Sequence, residues 1–308
     1  MVTRNGKVVN LNSKESPLSL QNCLFVQNTE SGRNKINIYC NIQDYFSNAS
    51  SQAKTTLYDG TQDLDAYENV VVVGGDGTIH HAVNGLHGRN NLVYVPLGTV
   101  NDFGKIKREN GRTPILGRAN DKRFCYVLAT GTFTSIGYQT ERAAKKKMGR
   151  LAYYAKAMKG LKIERIPLCV CADGKSYKGE YTLAMLLRSP RCFGFKFNRM
   201  YNEQKPEIYL LLIASPKRGG ILGTAQLFCR FFRAFFMGFS KEKQGAVCFF
   251  PCKEVTISAQ SSLTYCLDGE RFEAPLTLRC VAEVQPFSLS VLKKEDVLKW
   301  ERRRRKHA

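Results

Sequence analysis

Val70-Val-Val-Val73-Gly-Gly-Asp-Gly-Thr78 is the stretch that decides the architecture. Four consecutive β-branched apolar residues fit a strand buried on both faces, as in a parallel sheet. The run ends in glycines, one carboxylate and one hydroxyl, and Ile79, Ala82, Val83 and Leu86 follow at helical spacing. Strand, glycine loop and helix in immediate succession form half of a strand–helix–strand unit. Glycine at such a loop lets backbone N–H groups approach a phosphate with no Cβ in the way. The helix N-terminus that follows favours an anion. The plainer alternative is a glycine turn in which Thr78 caps the helix. The segment alone does not choose between them.

Its neighbours do. Leu92-Val-Tyr-Val95 reads as a further strand and runs into Pro96-Leu-Gly-Thr-Val-Asn-Asp-Phe-Gly104, a second loop of the same chemistry. Upstream, Cys23-Leu-Phe-Val26 reads as a strand and is followed by Asn28-Thr-Glu-Ser-Gly-Arg33. Between them Lys35 to Phe46 carries Ile38, Ile42, Tyr45 and Phe46 at helical spacing, and Thr55 to Tyr58 reads as a strand. The alternation predicts a parallel α/β sheet, whose ligands sit at the carboxyl ends of the strands. Three Gly-rich loops at three such ends are hard to explain as turns. A Walker loop is absent: Gly174-Lys-Ser176 has Cys169 where the pattern needs glycine. The dinucleotide fingerprint is missing too, so phosphate would be held by another glycine design.

Beyond about residue 116 the pattern changes. Phe124 to Ala129, Pro167 to Ala172, Tyr177 to Leu187, Glu207 to Ala214, Ala246 to Phe250, Glu254 to Ala259, Leu263 to Leu267 and Leu276 to Cys280 read as strands between Gly, Pro, Asp or Lys turns. Asp173-Gly174 is a hairpin signal. Two helices, Lys145 to Leu161 and Leu222 to Gly238, are inserted, and Phe287 to Leu292 is a strand that returns to the first domain. The expected organisation is an α/β domain over residues 1–116, a β-rich domain over 117–290, and a return segment with a basic tail over 291–308.

Composition bounds the function. Apolar residues make up 43% of the 308, which excludes disorder as the dominant state. Lys and Arg number 47 against 26 Asp and Glu, a net charge of +21, so anionic partners are expected. No apolar run approaches the ~20 residues of a membrane span, and the polar start Met1 to Lys7 does not read as a secretory signal. The eleven cysteines form no CxxC pair, with Cys169-x-Cys171 and Cys248-x3-Cys252 the nearest. They read as reduced, mostly buried thiols of a cytosolic protein.

Gly74-Gly-Asp-Gly-Thr78 together with Pro96-Leu-Gly-Thr-x-Asn-Asp-Phe resembles the catalytic-domain signature of the diacylglycerol kinase and sphingosine kinase family, with the soluble bacterial lipid kinases the nearest fit. The resemblance extends over about Cys23 to Leu292. Asn28-x-x-Ser-Gly32 resembles the family's first nucleotide loop, with Thr29 in place of its usual proline. Gly137-Tyr-Gln-Thr140 and Lys145 to Tyr154 resemble the opening of its second domain, and Leu267-Asp-Gly-Glu270 its late motif.

The resemblance implies an N-terminal three-layer α/β nucleotide-binding domain and a C-terminal β-sandwich-like domain, with the active site in the cleft between them. It implies transfer of the ATP γ-phosphoryl group to a lipid hydroxyl, diacylglycerol-like or sphingosine-like. Asn28, Thr29, Glu30, Ser31, Gly32, Gly74, Gly75, Asp76, Gly77, Thr78, Ile79, His80 and Thr99 would line the nucleotide, with Thr61 a looser match. Asp76 would organise Mg²⁺ and the phosphates, and Glu270 would accept the lipid hydroxyl proton.

The sequence departs from the family in places. His80-His81 stands where Asn-Glu is usual; adjacent helical positions point ~100° apart, so this is not a zinc pair. The stretch Phe103 to Phe124 is short by most of a helix, and Leu116 falls near an acidic position. Asn202-Glu-Gln-Lys-Pro206 replaces the Asp-Asp-Gly turn of the family's structural Mg²⁺ site, so that site is expected to be absent.

Lys145-Lys-Lys147, Arg302-Arg-Arg-Arg-Lys306 and the aromatic run Leu227 to Phe239 with Arg230 and Arg233 bear on partners. The charges read either as solvated surface or as contacts to anionic lipid. The aromatics read either as core or as a peripheral membrane face. No nucleic-acid-binding motif accompanies the charge, so nucleic acid is not an expected partner. The expected partners are ATP, a lipid substrate and an anionic membrane surface; a homodimer is compatible with the sequence. The expected location is cytoplasmic, peripheral on the inner face of the membrane. Two other readings are carried: a catalytically weakened member that binds nucleotide or lipid as a sensor or scaffold, and a NAD kinase relative, which Asn101-Asp102 disfavours.

Overall fold

A computed structural model describes residues 23–27, 55–98, 101–132, 164–192, 194–217 and 219–293. The chain divides into two compact units, residues 1–114 with 284–308, and residues 115–283.

The first unit is built on a five-stranded parallel sheet. Its strands are β1 (Cys23–Gln27), β2 (Thr55–Leu57), β3 (Asn69–Gly74), β4 (Asn91–Pro96) and, from the far end of the chain, β18 (Ser288–Val291). The order is β18-β4-β3-β1-β2, every pair parallel. Val70 to Val73 are fully buried, as their unbroken apolar run requires. Helix α1 (Asp76–Gly85) follows β3 and buries Ile79, His80, Ala82 and Val83.

From β1 the chain places β2 on one side and β3, β4 and β18 on the other. The winding direction therefore reverses between β1 and β3, and the carboxyl ends of those strands flank the position where open α/β sheets bind ligands. β18 has a partner on each side. It pairs with β4, while Gly111 N–H donates to Leu289 O (3.0 Å) and Leu289 N–H to Arg112 O (2.8 Å).

The second unit is one large antiparallel sheet. Its strands are β5 (Ile115–Ala119), β6 (Lys122–Phe124), β7 (Val127–Gly131), β8 (Ile166–Ala172), β9 (Lys175–Leu187), β12 (Ile208–Ala214), β13 (Val247–Cys252), β14 (Glu254–Ala259), β15 (Leu263–Leu267), β16 (Glu270–Ala274) and β17 (Thr277–Val284). The main path is β16-β15-β7-β9-β8-β14-β17-β5-β6, with β12 and β13 branching from β9. Leu128, Val170, Leu186, Leu210, Val255, Leu267 and Leu278 share one core, so the sheet curls until its inner faces meet. β10 (Arg191–Cys192) and β11 (Phe195–Lys196) form a separate hairpin. Helix α2 (Gly220–Phe232) continues as a π-turn over Arg233–Met237.

One strand expectation is corrected, and strands are present that the sequence pattern did not suggest. Phe124 to Ala129 is not one strand: β6 ends at Phe124 and β7 starts at Val127, because the Asp268 carboxylate takes the N–H groups of Cys125, Tyr126 and Val127. β16 was not expected, because Glu270, Arg271 and Glu273 point to solvent on a strand that ends the sheet and leave a weak apolar signal. β5 was not expected either. It holds Gly117, over which the Phe124 ring lies so closely that a Cβ there would come within 2.1 Å of it. The helix expectations Lys35 to Phe46 and Lys145 to Leu161 fall outside the described residues. Among the described residues no helix is long and apolar enough to cross a membrane.

Candidate functional site

The glycine loop at the end of β3 and the loop at the end of β4 are bound to each other. Gly74 O accepts from Leu97 N–H (2.7 Å) and Gly98 N–H (3.2 Å). Gly98 lies so close to the first loop that a Cβ on it would fall 2.6 Å from Gly75 Cα. A Cβ on Gly74 would fall 2.4 Å from Thr78 Oγ1. These glycines are required by close approach of backbone to backbone and backbone to side chain.

The helix cap is Gly75, with no side-chain cap hydrogen bond. Thr78 lies inside the first turn, so the reading of Thr78 as N-cap is corrected. A helix begun by glycine keeps the N–H groups of its first turn from being taken by a capping side chain, which is the arrangement an anion needs.

Asp76, the first residue of α1, reaches across to the second loop. Its Oδ2 accepts from Asp102 N–H (2.8 Å) and its Oδ1 from Phe103 N–H (3.3 Å). The second loop is shaped for this contact. Asn101 adopts a left-handed conformation (φ 50°) and its Nδ2 donates to Gly98 O (2.6 Å). Asp102 is 1% exposed. Phe103 is buried, with Tyr94 at 6.0 Å between ring centroids and the Arg108 guanidinium 4.1 Å from its own. The pairing of Asp76 with the Asp102-Phe103 backbone is something sequence reasoning missed. The signal for it was the recurrence of the two motifs together.

The remaining expected residues divide. Gly77 and Ile79 lie in the first turn of α1. His80 is 7% exposed, its carbonyl accepting from Asn84 Nδ2 at 2.9 Å, whereas His81 faces solvent. Thr61 follows β2 in an exposed turn, its N–H and Oγ1 both donating to Asp59 Oδ1 (2.9 and 2.6 Å). Those bonds hold the Asp59 carboxyl below its ordinary range. Asn28, Thr29, Glu30, Ser31, Gly32 and Thr99 lie outside the described residues, as do Gly137 to Thr140, Lys145 to Tyr154 and Arg302 to Lys306.

Glu270 belongs to the second unit. It is the exposed first residue of β16, presented by a two-residue turn in which Asp268 (φ 53°) and Gly269 (φ 102°) are both left-handed and Leu267 pairs with Glu270. The turn is rigidly held. The buried Asp268 carboxylate accepts from Cys125 N–H (2.5 Å), Tyr126 N–H (2.9 Å) and Val127 N–H (3.0 Å), and Tyr126 OH donates to Asp268 O (3.1 Å). An Asp-Gly pair is a common turn; here its aspartate also anchors the neighbouring strand.

The segment Asn202 to Pro206 is organised by Arg188, which is 1% exposed. Its guanidinium donates to the carbonyls of Lys205 (2.9 Å), Glu207 (2.6 Å), Glu203 (3.3 Å) and Ile115 (3.2 Å). The carbonyl oxygens that a structural cation would collect here are turned onto a protein cation, so the residues do not fit a Mg²⁺ ion. Leu116, near the family's acidic position, is buried in β5. At the glycine loops, Asp76 is a hard oxygen donor, the ligand type that suits Mg²⁺. Among the described residues no cluster of three or more His, Cys, Asp or Glu side chains could hold a metal.

Comparison with known proteins bears on the first unit and on the fold. Residues 22–114 match the diacylglycerol kinase catalytic domain. Diacylglycerol kinase of Staphylococcus carnosus (strain TM300) is 31% identical over 149 residues, which is 42% of this chain and 48% of that protein. Diacylglycerol kinase of Staphylococcus aureus (strain JH9) is 30% identical over 148 residues, 42% of this chain and 47% of that protein. The chain thus spans about half the length of the curated relatives it matches. A Bacillus anthracis str. Sterne structure assigned as a diacylglycerol kinase superposes with a TM-score of 0.69 at 17% identity, covering 88% of this chain and 97% of that one. The chain therefore shares the two-part fold of such proteins, a parallel sheet with a large curled antiparallel sheet, and its first unit resembles the diacylglycerol kinase catalytic domain.

Proposed function

We propose that the protein is an ATP-dependent lipid kinase that transfers the γ-phosphoryl group of ATP to a lipid hydroxyl. The observation that carries this reading is the joining of the two glycine loops, with Asp76 bound to the Asp102 and Phe103 backbone beside the point where the sheet reverses. In this reading the first turn of α1 and the loops after β1 and β4 hold the phosphates through backbone N–H groups. Asp76 would hold Mg²⁺ together with the nucleotide, and the ion would supply neutralisation of phosphate charge. Glu270 accepts the proton of the acceptor hydroxyl as that oxygen bonds the γ-phosphorus and the bond from the γ-phosphorus to the departing ADP breaks. Positioning and charge neutralisation supply most of the rate in such transfers.

The test is transfer of labelled phosphate from ATP with Mg²⁺ to a panel of diacylglycerol, sphingosine-like and polyprenol acceptors. Transfer to one class supports the reading and names the acceptor. Nucleotide binding with no transfer to any acceptor overturns it in favour of a sensor that binds ATP without using it. That second reading is favoured by the burial of Leu116 and by the Arg188-held segment, both departures from the family pattern. Phosphorylation of NAD would instead place the chain with the NAD kinases.

A further inference from the structure

The sequence leaves open whether the aromatic run after residue 220 is core or surface. It is both, on opposite faces. Gly223, Leu227, Phe231 and Ala234 turn inward. Ile221, Phe228, Phe232 and Phe236 form an outward stripe at helical spacing, Ile221 being 89% exposed and Phe228 50%. The rings stack along this stripe, Phe228 on Phe232 (6.3 Å between centroids) and Phe232 on Phe236 (5.1 Å). Phe195 of the β10–β11 hairpin packs on Phe236 at 5.1 Å and extends the patch. Leu222 and Met237 add to it, at 65% and 55% exposure.

The charge carried by this element is positive. From Ile208 to Lys241 the chain contains no Asp or Glu, and Glu207 and Glu242 stand at the two borders of that stretch. Lys217, Lys241 and the hairpin's Lys196 are exposed. Arg230 is turned inward and ties the element to β12 through Ala214 O, while Arg233 donates to Gly238 O and closes the π-turn on itself. The helix is thereby fixed with its aromatic face outward. An apolar stripe rimmed by cations is the chemistry of an interfacial helix on anionic lipid: rings enter the headgroup boundary and ammonium groups meet phosphate. A groove-binding protein helix would need an apolar partner with acidic flanks, and a second copy of this chain would set like charge against like.

We infer that the outer face of α2, its π-turn and the β10–β11 hairpin dock on the surface of an anionic bilayer. The inference rests on the lipid-kinase reading only for its purpose; the docking itself stands on this surface.

The experiment places a reporter in the stripe. In a Trp300→Phe background, which removes the sole native tryptophan, Phe232→Trp is titrated with vesicles of phosphatidylcholine alone or with phosphatidylglycerol, with and without brominated acyl chains, in the absence of ATP. Docking predicts a blue shift and bromine quenching with the anionic vesicles, both weakened by salt. Sedimentation with the same vesicles should fall about tenfold or more for Phe228→Ser/Phe232→Ser, and should also fall for Lys196→Glu/Lys241→Glu, which leaves the aromatic stripe intact. Unquenched emission, or wild-type sedimentation of both double variants, overturns the docking. A concentration-dependent dimer abolished by the serine pair also overturns it, in favour of a second copy on this face. Phosphate transfer to a short-chain acceptor in detergent micelles is measured in parallel. Its absence with vesicle binding intact counts against the kinase reading and leaves the docking standing.

Discussion

Asp76 has two duties that its substitution can separate. Its carboxylate holds the backbone of the second loop, and in the proposed function it stands at the head of the turn that receives the phosphates. Asp76→Asn keeps the shape, removes the charge and weakens the two N–H contacts. We expect phosphate transfer to be lost and ATP binding without Mg²⁺ to weaken about tenfold, as the loops lose a charge-assisted tie. If Asp76 acted only through a cation, Mg²⁺-free binding would be unchanged or tighter, and calorimetry with and without Mg²⁺ decides. Glu270→Gln should lower kcat by ~10²–10⁴-fold with ATP affinity unchanged, the ordinary contribution of a positioned base. The hairpin survives because Asp268, not Glu270, anchors it. Equal activity in this variant would place the base elsewhere.

At the scale of elements, the segment 202–207 is held by a buried arginine where relatives of this design are expected to use a metal. Chelation with EDTA should therefore leave the melting temperature of the nucleotide-free protein unchanged. Arg188→Met should lower it substantially, since several buried carbonyls lose their donor at about 1–3 kcal/mol each. A fall in melting temperature with EDTA that Mg²⁺ reverses would contradict this account. The same scale shows what was legible in the residues. Long apolar strands and the glycine loops could be read directly, because Val70 to Val73 admits one environment and the loops share a chemistry. What joins the loops could not, because a carboxylate reaching 26 positions along the chain to an N–H group leaves no periodic trace. Arg188 was illegible for the same reason: its acceptors are carbonyls, which every residue carries. β16 hid behind its solvent-facing charges, and the faces of α2 were undecidable while both carried phenylalanine.

For the molecule as a whole, burial sets the behaviour of the thiols and phenols. The ten described cysteines are thiols rather than disulfides. Burial, with Glu68 nearby, pushes Cys23 up to about 11, and burial also raises Cys252, Cys280 and Tyr265. Such groups keep their protons in the folded state at a pH where the unfolded chain has released them. Their contribution to stability is complete below the unfolded values, near 9 for the thiols and near 10 for the phenol, and is lost as pH rises through the folded values. Denaturant melts should show stability falling from about pH 9 upward; a flat profile to pH 11 would contradict this. At neutral pH, alkylation followed by mass spectrometry should mark the exposed Cys171 and Cys229 first and leave Cys23, Cys252 and Cys280 unmodified until unfolding.

The strand β18 carries a consequence for how the protein is made. The ribosome releases β1 to β4 early, but the strand that completes their sheet at β4 is translated only after all of residues 115–283. Until then the edge of β4 is unpaired and Leu92 to Val95 has no neighbour on that side. The nascent sheet must wait, exposed or guarded, while an entire second unit is synthesised inside its sequence. A chain stalled or cut before Ser288 should therefore expose a sticky parallel edge in its first unit. Limited proteolysis of ribosome-bound chains stalled on either side of Val291 should show the β3–β4 region turning resistant only in the longer one.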